Sequence, residues 1–399
     1  MFRKLKTWLP FHTLSEEEYR RQRQRLLDRA PVPVFWLFGK TGSGKTSIVK
    51  YLTGAERAEI GSGYRPQTQY SEQYEFPAAE SPLARFLDTR GLGETRYDPR
   101  EDIERFSAST HVMIVTVRVM DHALTEVLEP LRLIRRAVPD RPVLLALTCL
   151  HEAYPGQQHP QPDPFAVLDP SAVPDPSAVS APGDLPRDLQ RSLAAQQQRF
   201  AGLVDQIVPL DLTQPEDGFV PPDFGGPRLK RALVDMLPAA YRQTLLTLLD
   251  AMASLRDLND RRALPLVIGH SMLAATAAAV PVPWLDIPVV AAIQSHLMYR
   301  LASVYGCTWD LRALLEMAGP IGGRLLARQV VRGTLKFIPF IGSAANAAMA
   351  YAYTYGLGKA CGWYFGQVRQ GNAPSAADLE HIWRDQLTQA AQMWKEHRG

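Results

Sequence analysis

Hydrophobic and polar positions fall into two regimes along the chain. In the first half, short apolar runs stand apart at Pro33 to Phe38, Leu83 to Leu87, Val112 to Val119, Val143 to Leu147 and Gln206 to Leu212. Runs of this length bounded by turn residues predict buried strands, and the helical stretches between the later ones predict a mostly parallel α/β sheet. Ahead of them, Ser15-Glu16-Glu17-Glu18 reads as a capping box that opens a charged helix to about Arg29, with Ser15 as N-cap and Glu18 three residues on. Beyond Asp211, the stretch containing Pro221, Pro222, Gly225, Gly226 and Pro227 leads into a helix from about Arg228 and then a long alanine-rich apolar region. Within that region Leu285, Ala291, Ala292, Tyr299 and Leu301 recur at one fixed offset as Ile341, Ala347, Ala348, Tyr355 and Leu357. Each copy reads as helix, proline turn, helix (Pro281 and Pro283; Pro339), which predicts two packed helical hairpins. The pattern divides the chain into a lead-in (1–30), an α/β domain (31–227) and an all-α helical-hairpin domain (228–399).

Between Tyr154 and Pro186 prolines crowd the chain and Asp-Pro-Ser-Ala-Val occurs twice, from Asp169 and from Asp175. So much proline disfavours both helix and central strand, so 154–186 is expected to be an extended, mobile insertion on the surface of the α/β domain. At 399 residues, 46% hydrophobic and 21% charged, the chain is globular and has two or three domains. A net charge of +3 without a basic block gives no general grip on nucleic acid, and none is expected as a partner. Cys149, Cys307 and Cys361 lack metal-ligand spacing and suit thiols in a reducing cytosol, without zinc. The N-terminus has no secretion-signal core, so the expected location is cytoplasmic, with the cytoplasmic face of the membrane as an option. Phe2, Leu5, Trp8 and Leu9 share one helical face beside Arg3, Lys4 and Lys6, which suits either an anionic membrane surface or packing on the protein itself.

The chemistry concentrates at Gly39-Lys40-Thr41-Gly42-Ser43-Gly44-Lys45-Thr46, which follows the first predicted strand and opens a helix at Thr46 and Ser47. Glycines let backbone amides close round phosphates, Lys45 reaches the β and γ phosphates, Thr46 offers a hydroxyl to Mg²⁺, and the helix dipole faces the anion. This pattern requires a nucleoside triphosphate with magnesium. About forty residues on stands Asp88-Thr89-Arg90-Gly91. Asp88 would hold magnesium through a water and the Gly91 amide would meet the γ-phosphate, so hydrolysis would release the loop. Thr68, in the polar segment Gly63 to Gln69, is the candidate for a second hydroxyl ligand of the metal.

These residues and their order resemble the translation-factor class of GTPases, nearest the Era-like and TrmE-like branch, and the phosphate-loop wording also resembles septin-related and immunity-associated GTPases. The resemblance spans about 32–215 and implies a P-loop NTPase G domain that binds GTP and GDP, with Lys45, Thr46, Thr68, Asp88 and Gly91 at the family's positions. Many such enzymes place a water-orienting glutamine after the Asp-x-x-Gly glycine; Leu92 stands here, as an apolar residue does in the Era-like branch, which implies slow hydrolysis. Gly42 replaces the asparagine that binds potassium in that branch, so potassium activation is not expected. Arg65 and Arg90 are candidates to supply a transition-state charge, in cis or across a homodimer. The guanine-reading Asn/Thr-Lys-x-Asp is degenerate: Thr148-Cys149-Leu150-His151-Glu152 keeps Thr148, puts Cys149 for lysine, and leaves either His151 or Glu152 to meet the base. Pro209 to Thr213 stands for the family's last base loop without its Ser-Ala pair. A nucleotide-binding scaffold with little hydrolysis, or an ATPase, are the alternative functions.

The C-terminal stretch, with Ile338-Pro339-Phe340-Ile341-Gly342-Ser343 and Tyr353-Thr354-Tyr355-Gly356-Leu357-Gly358, resembles an uncharacterised helical domain that follows Era-like G domains in bacterial proteins. Its members are often predicted to be membrane-associated and offer no catalytic residues to carry over. A spanning helix needs ~20 mostly apolar residues, and none of the apolar stretches is a clean span. The expected order is a bundle meeting the membrane surface, then a fully soluble bundle, then inserted hairpins. The expected partners are therefore GTP or GDP, the membrane surface, and a protein that the sequence does not name.

Overall fold

The computed structural model describes residues 15–55, 65–66, 71–89, 99–106, 109–153, 159–161, 163–165, 185–213, 217–253, 258–279, 286–307, 343–372 and isolated positions from 374 to 388. The basic N-terminal face around Trp8, Thr68, Arg90, Gly91, Leu92, the prolines at 281, 283 and 339, and most of 154–186 lie outside them. The described chain forms two compact units: one is Val32–Phe76 with Ala84–Leu249, and the other gathers the described parts of Met1–Pro31, Pro77–Leu83 and Asp250–Gly399.

The first unit is built on a sheet of β1 (Val34–Phe38), β2 (Arg65–Pro66), β3 (Ser71–Phe76), β4 (Ala84–Thr89), β5 (Val112–Arg118), β6 (Val143–Thr148) and β7 (Gln206–Pro209), in the order β2-β3-β4-β1-β5-β6-β7. β4, β1, β5, β6 and β7 run parallel, while β3 pairs antiparallel with β4, and β2 with β3. β1 and β6 are buried at every residue, as expected for strands covered on both faces. The four parallel strands after the phosphate loop were legible as apolar runs. β3 was not, because only Tyr74 and Phe76 are buried while Glu72, Gln73 and Glu75 are half-exposed, so no apolar run marks it. Helices α2 (Lys45–Thr53), α3 (Pro99–Phe106), α4 (Thr125–Ala137), α5 (Arg187–Arg199) and α6 (Gly226–Met236) accompany the sheet. On one face Trp36, Phe38, Met113, Val115, Leu131, Ile134, Leu145 and Phe200 form a continuous core.

The proline-rich segment departs from expectation where it is described. His159 and Phe165 are buried, the His159 amide donates to the Val220 carbonyl at 2.9 Å, and Asp163 pairs with Arg228. Phe165 packs with Val119, Leu150, Leu189 and Phe224, so this part of 154–186 is core and not a surface excursion. An aromatic side chain and a satisfied buried imidazole outweigh the local bias of the prolines toward open loop.

In the second unit, α1 (Glu16–Leu27) carries the capping box: Ser15 Oγ accepts from the Glu18 amide at 3.1 Å and Glu18 accepts from the Ser15 amide at 2.8 Å. Its Tyr19, Leu26 and Leu27 pack with Leu273, Ala274, Ala277, Val289 and Ile293. Those residues belong to α8 (Leu258–Ala279) and α9 (Asp286–Val304); α10 (Ser343–Arg369) completes the described bundle, and α7 (Ala239–Ala253) leads into it. The small residues permit close packing: a Cβ on Gly358 would lie 2.7 Å from Val267. Tyr351 and Tyr355 stack on each other at 6.0 Å, and Tyr353 meets Trp383 edge-on, so these rings serve packing within the helical unit. Among the described residues one helical stretch, Arg261–Ala279, has the length and composition to cross a membrane, and 72% of its most apolar window is buried within the protein.

The connection between β3 and β4 belongs to this helical unit. Ala78, Ser81 and Leu83 are buried, and a Cβ on Gly269 of α8 would lie 2.3 Å from the Ser81 carbonyl, so glycine is what allows the helix backbone to come this close. His270 Nδ1 lies 2.9 Å from Ser81 Oγ and 2.8 Å from the Leu266 carbonyl, and its Nε2 lies 3.1 Å from His296 Nδ1. A carbonyl only accepts, so Nδ1 carries the proton and Nε2 accepts from His296. Arg300 approaches Glu80 at 3.9 Å.

Candidate functional site

The phosphate loop runs from the end of β1 to the start of α2, at the carboxyl edge of the parallel strands, where α/β sheets place their ligands. Gly42 and Gly44 hold φ of 77° and 93°, conformations that L side chains rarely adopt. Gly39 is required for space: a Cβ there would stand 2.2 Å from Thr116 Oγ1 and 2.4 Å from the Thr116 carbonyl. Two buried hydroxyls fix the loop from β5 and β6. Ser43 Oγ lies 2.6 Å from Thr116 Oγ1, and Thr148 Oγ1 donates to the Ser43 carbonyl at 2.9 Å. Thr148, expected from the sequence at the first position of the base motif, thus ties the end of β6 to the phosphate loop.

Lys45 opens α2, and its Nζ donates to the Gly39 carbonyl at 2.6 Å and the Lys40 carbonyl at 3.1 Å, spanning the loop from beneath. The same ammonium is 3.8 Å from Asp88 Oδ1. The register pairs Asp88 with Leu37, so this carboxylate stands beside the end of β1 and is nearly buried. Thr46 sits in the first turn of α2, half-buried, with Ser47 exposed beside it. A hydroxyl and a carboxylate are hard oxygen donors of the kind Mg²⁺ takes, so Thr46 and Asp88 fit the metal the fold implies. Thr41 and Gly42 are exposed at the loop's tip; Lys40 turns to its flank, where Nζ pairs with Asp121 at 3.0 Å and also donates to the Ala123 carbonyl. A cavity of about 280 Å³ opens on that flank, lined by Lys40, Thr116, Arg118, Asp121, Leu124 and Glu152 among others. The remaining predicted residues, Thr68 and Gly91, lie outside the described residues, and of Arg65 only the backbone, in β2, is described.

After β6 the chain turns sharply at Cys149, whose φ of 55° is left-handed, into the turn Leu150–Ala153 that carries His151 and Glu152. The two candidates for the base then part. Arg118 pairs with Glu152, which lines the flank cavity. His151 instead meets Asp211, two residues beyond β7: its amide donates to Asp211 Oδ2 at 2.8 Å and its ring Nδ1 at 2.7 Å. The Asp211 side chain is 4% exposed and the His151 side chain 31%. Sequence alone gives Asp211, Thr116 and Asp121 no role. Asp211 does fall in the Pro209 to Thr213 loop, but its pairing with His151 depends on the register between β6 and β7.

Residues 34–149 match the family model described as 50S ribosome-binding GTPase, and residues 241–392 match one described as a domain of unknown function (DUF697). Among solved structures, the chain is similar to a bacterial selenocysteine-specific elongation factor, 16% identical, covering 57% of this chain and 30% of that one with a TM-score of 0.29. The chain therefore spans about a third of that factor. No curated protein matches. The first unit is thus a P-loop G domain of the GTP-binding class, with a mixed, mostly parallel sheet, followed by a helical C-terminal region.

Proposed function

We propose that the protein is a slow GTPase of the Era-like branch whose nucleotide state is passed to its helical domain through the connection Pro77–Leu83. The observation that carries this is the double attachment of that connection. At one end β4 leads to Asp88, beside Lys45, and β3 follows the segment that holds Thr68. In the middle, Ser81 is held by Gly269 and His270 of α8, and Glu80 lies near Arg300 of α9. A change at the γ-phosphate that shifts the ends of β3 and β4 would reach the helices along covalent chain.

Lys45 would meet the β and γ phosphates, the α2 N-terminus and loop amides would take the remaining charge, and Thr46, Asp88 and Thr68 would hold magnesium, which neutralises charge developing on the phosphates. Gly91 would report the γ-phosphate. With leucine at 92 in place of a water-orienting glutamine, turnover is slow. The helical domain would act at the cytoplasmic face of the membrane, an assignment supported by the resemblance of the C-terminal region to helical domains that are often predicted to be membrane-associated. Multiple-turnover phosphate release from GTP by the full chain, against Lys45→Ala, tests the enzyme: a rate lost in the variant is expected, and equal rates would overturn it. Co-sedimentation with anionic vesicles tests the membrane assignment. Pelleting in at least one nucleotide state is expected, and none in any state would overturn it.

A further inference from the structure

We infer that the base is read by His151, held in place by the buried carboxylate of Asp211, through one hydrogen bond where a carboxylate reader makes two, so that the site takes 6-oxopurine triphosphates, guanine and hypoxanthine alike, without sensing the 2-amino group. The inference rests on the GTP-binding reading above. Its geometry is that of a fixed imidazole. The His151 amide and Nδ1 both donate to Asp211 Oδ2, at 2.8 and 2.7 Å, and Asp211 is itself anchored where its amide donates to the Phe224 carbonyl at 2.7 Å. The Phe219 ring lies against His151, with centroids 4.8 Å apart, and His159, with Nδ1 4.0 Å from the same carboxylate oxygen, stacks on Phe219 and Phe224. Position follows from the strands: Thr148, three residues before His151, is bonded to the phosphate loop at Ser43, and His151 stands beyond the carboxyl end of β6. Glu152, the other candidate, is paired with Arg118.

A carboxylate can accept from both N1–H and the 2-amino group of guanine. The ring of His151 cannot. A carboxylate oxygen only accepts, so Nδ1 carries a proton toward Asp211, and in the neutral ring Nε2 is left as a single acceptor. One acceptor takes N1–H of guanine or of hypoxanthine equally, and it opposes the bare N1 of adenine. Asp211 never touches the base in this scheme; it is a positioning residue.

The test is equilibrium binding of GTP, ITP and ATP to the full chain with Mg²⁺, by displacement of a ribose-labelled fluorescent GDP. The expected result is that GTP and ITP compete within about threefold of each other, with ATP at least about tenfold weaker, the scale of a single lost and opposed hydrogen bond. His151→Ala should weaken GTP and ITP by the same factor, and Asp211→Ala should do likewise while leaving their ratio near one. The double variant His151→Asp with Asp211→Ser, which puts the carboxylate on the base and a hydroxyl donor behind it, should favour GTP over ITP by about tenfold or more. A wild-type preference for GTP over ITP beyond about tenfold would overturn the inference and leave the GTP-binding reading intact. Equal binding of ATP would overturn the inference and the guanine assignment together, and absence of binding by any of the three would overturn both the inference and the reading beneath it.

Discussion

His270 is fully enclosed in the helical unit, and burial, reinforced by His296, Arg300 and Arg23, pushes its pKa down to about 3. His296 is lowered as well, mainly by burial, with Glu80 opposing. The native ring is neutral: its Nε2 accepts from His296, and a second proton would set N–H against N–H across 3.1 Å. The sign follows from the order of titration. As pH falls below the ordinary value of 6.5 the unfolded chain takes up a proton that the native ring refuses until about 3, so stability is full above 6.5 and is lost progressively through that window. At ~1.4 kcal/mol per pH unit, the loss from this one ring is about 2 kcal/mol at pH 5. Hydrogen exchange of peptides within Leu258–Ala279, corrected for intrinsic rates, reads the local opening free energy at pH 7 and pH 5. His270→Asn lowers stability at pH 7 but removes this titration, so its decline toward pH 5 should be smaller than the wild type's by about 2 kcal/mol. Parallel declines in the two proteins would refute the assignment of a neutral, buried His270.

Gly39→Ala places a methyl against the Thr116 carbonyl, which cannot swing aside; nucleotide affinity measured by fluorescent-GDP displacement should fall about a hundredfold or more while far-UV circular dichroism is unchanged. Thr148→Val leaves the buried Ser43 carbonyl without its donor, at about 1–3 kcal/mol, so affinity for GTP should fall by roughly 5- to 150-fold in the same assay. Ser15→Ala removes the capping box of α1 and should lower stability by about 1 kcal/mol, seen as faster exchange in peptides of Glu16–Leu27. Gly269→Ala should loosen the Ser81 turn, accelerating exchange across Pro77–Leu83, with GTP affinity within about twofold of wild type.

The sequence made the phosphate loop and its surrounding parallel strands legible because their requirements are local: glycine where φ is positive, lysine and threonine at the helix start, apolar runs where both sheet faces are covered. Ser15 to Glu18 was legible for the same reason, as four adjacent residues complete the cap. What stayed hidden depends on register between distant segments. The hydroxyl pair Ser43 and Thr116 and the pair His151 and Asp211 join residues far apart in the chain, and neither segment alone shows its partner. β3 carries its apolar residues at Tyr74 and Phe76 alone among charged neighbours. His159 and Phe165 misled in the opposite direction, since proline content describes the backbone's freedom and not whether an aromatic ring finds a core.

The central claim is that the nucleotide state reaches the helical unit through Pro77–Leu83, and backbone hydrogen exchange of that segment answers it most directly. The full chain is compared with saturating GDP and with a non-hydrolysable GTP analogue, each with magnesium and with occupancy verified. The account predicts different protection of Pro77–Leu83 and of the facing turns of α8 around Gly269 in the two states, with no such difference in Lys45→Ala. Identical protection in both states of a fully occupied wild-type protein would contradict it.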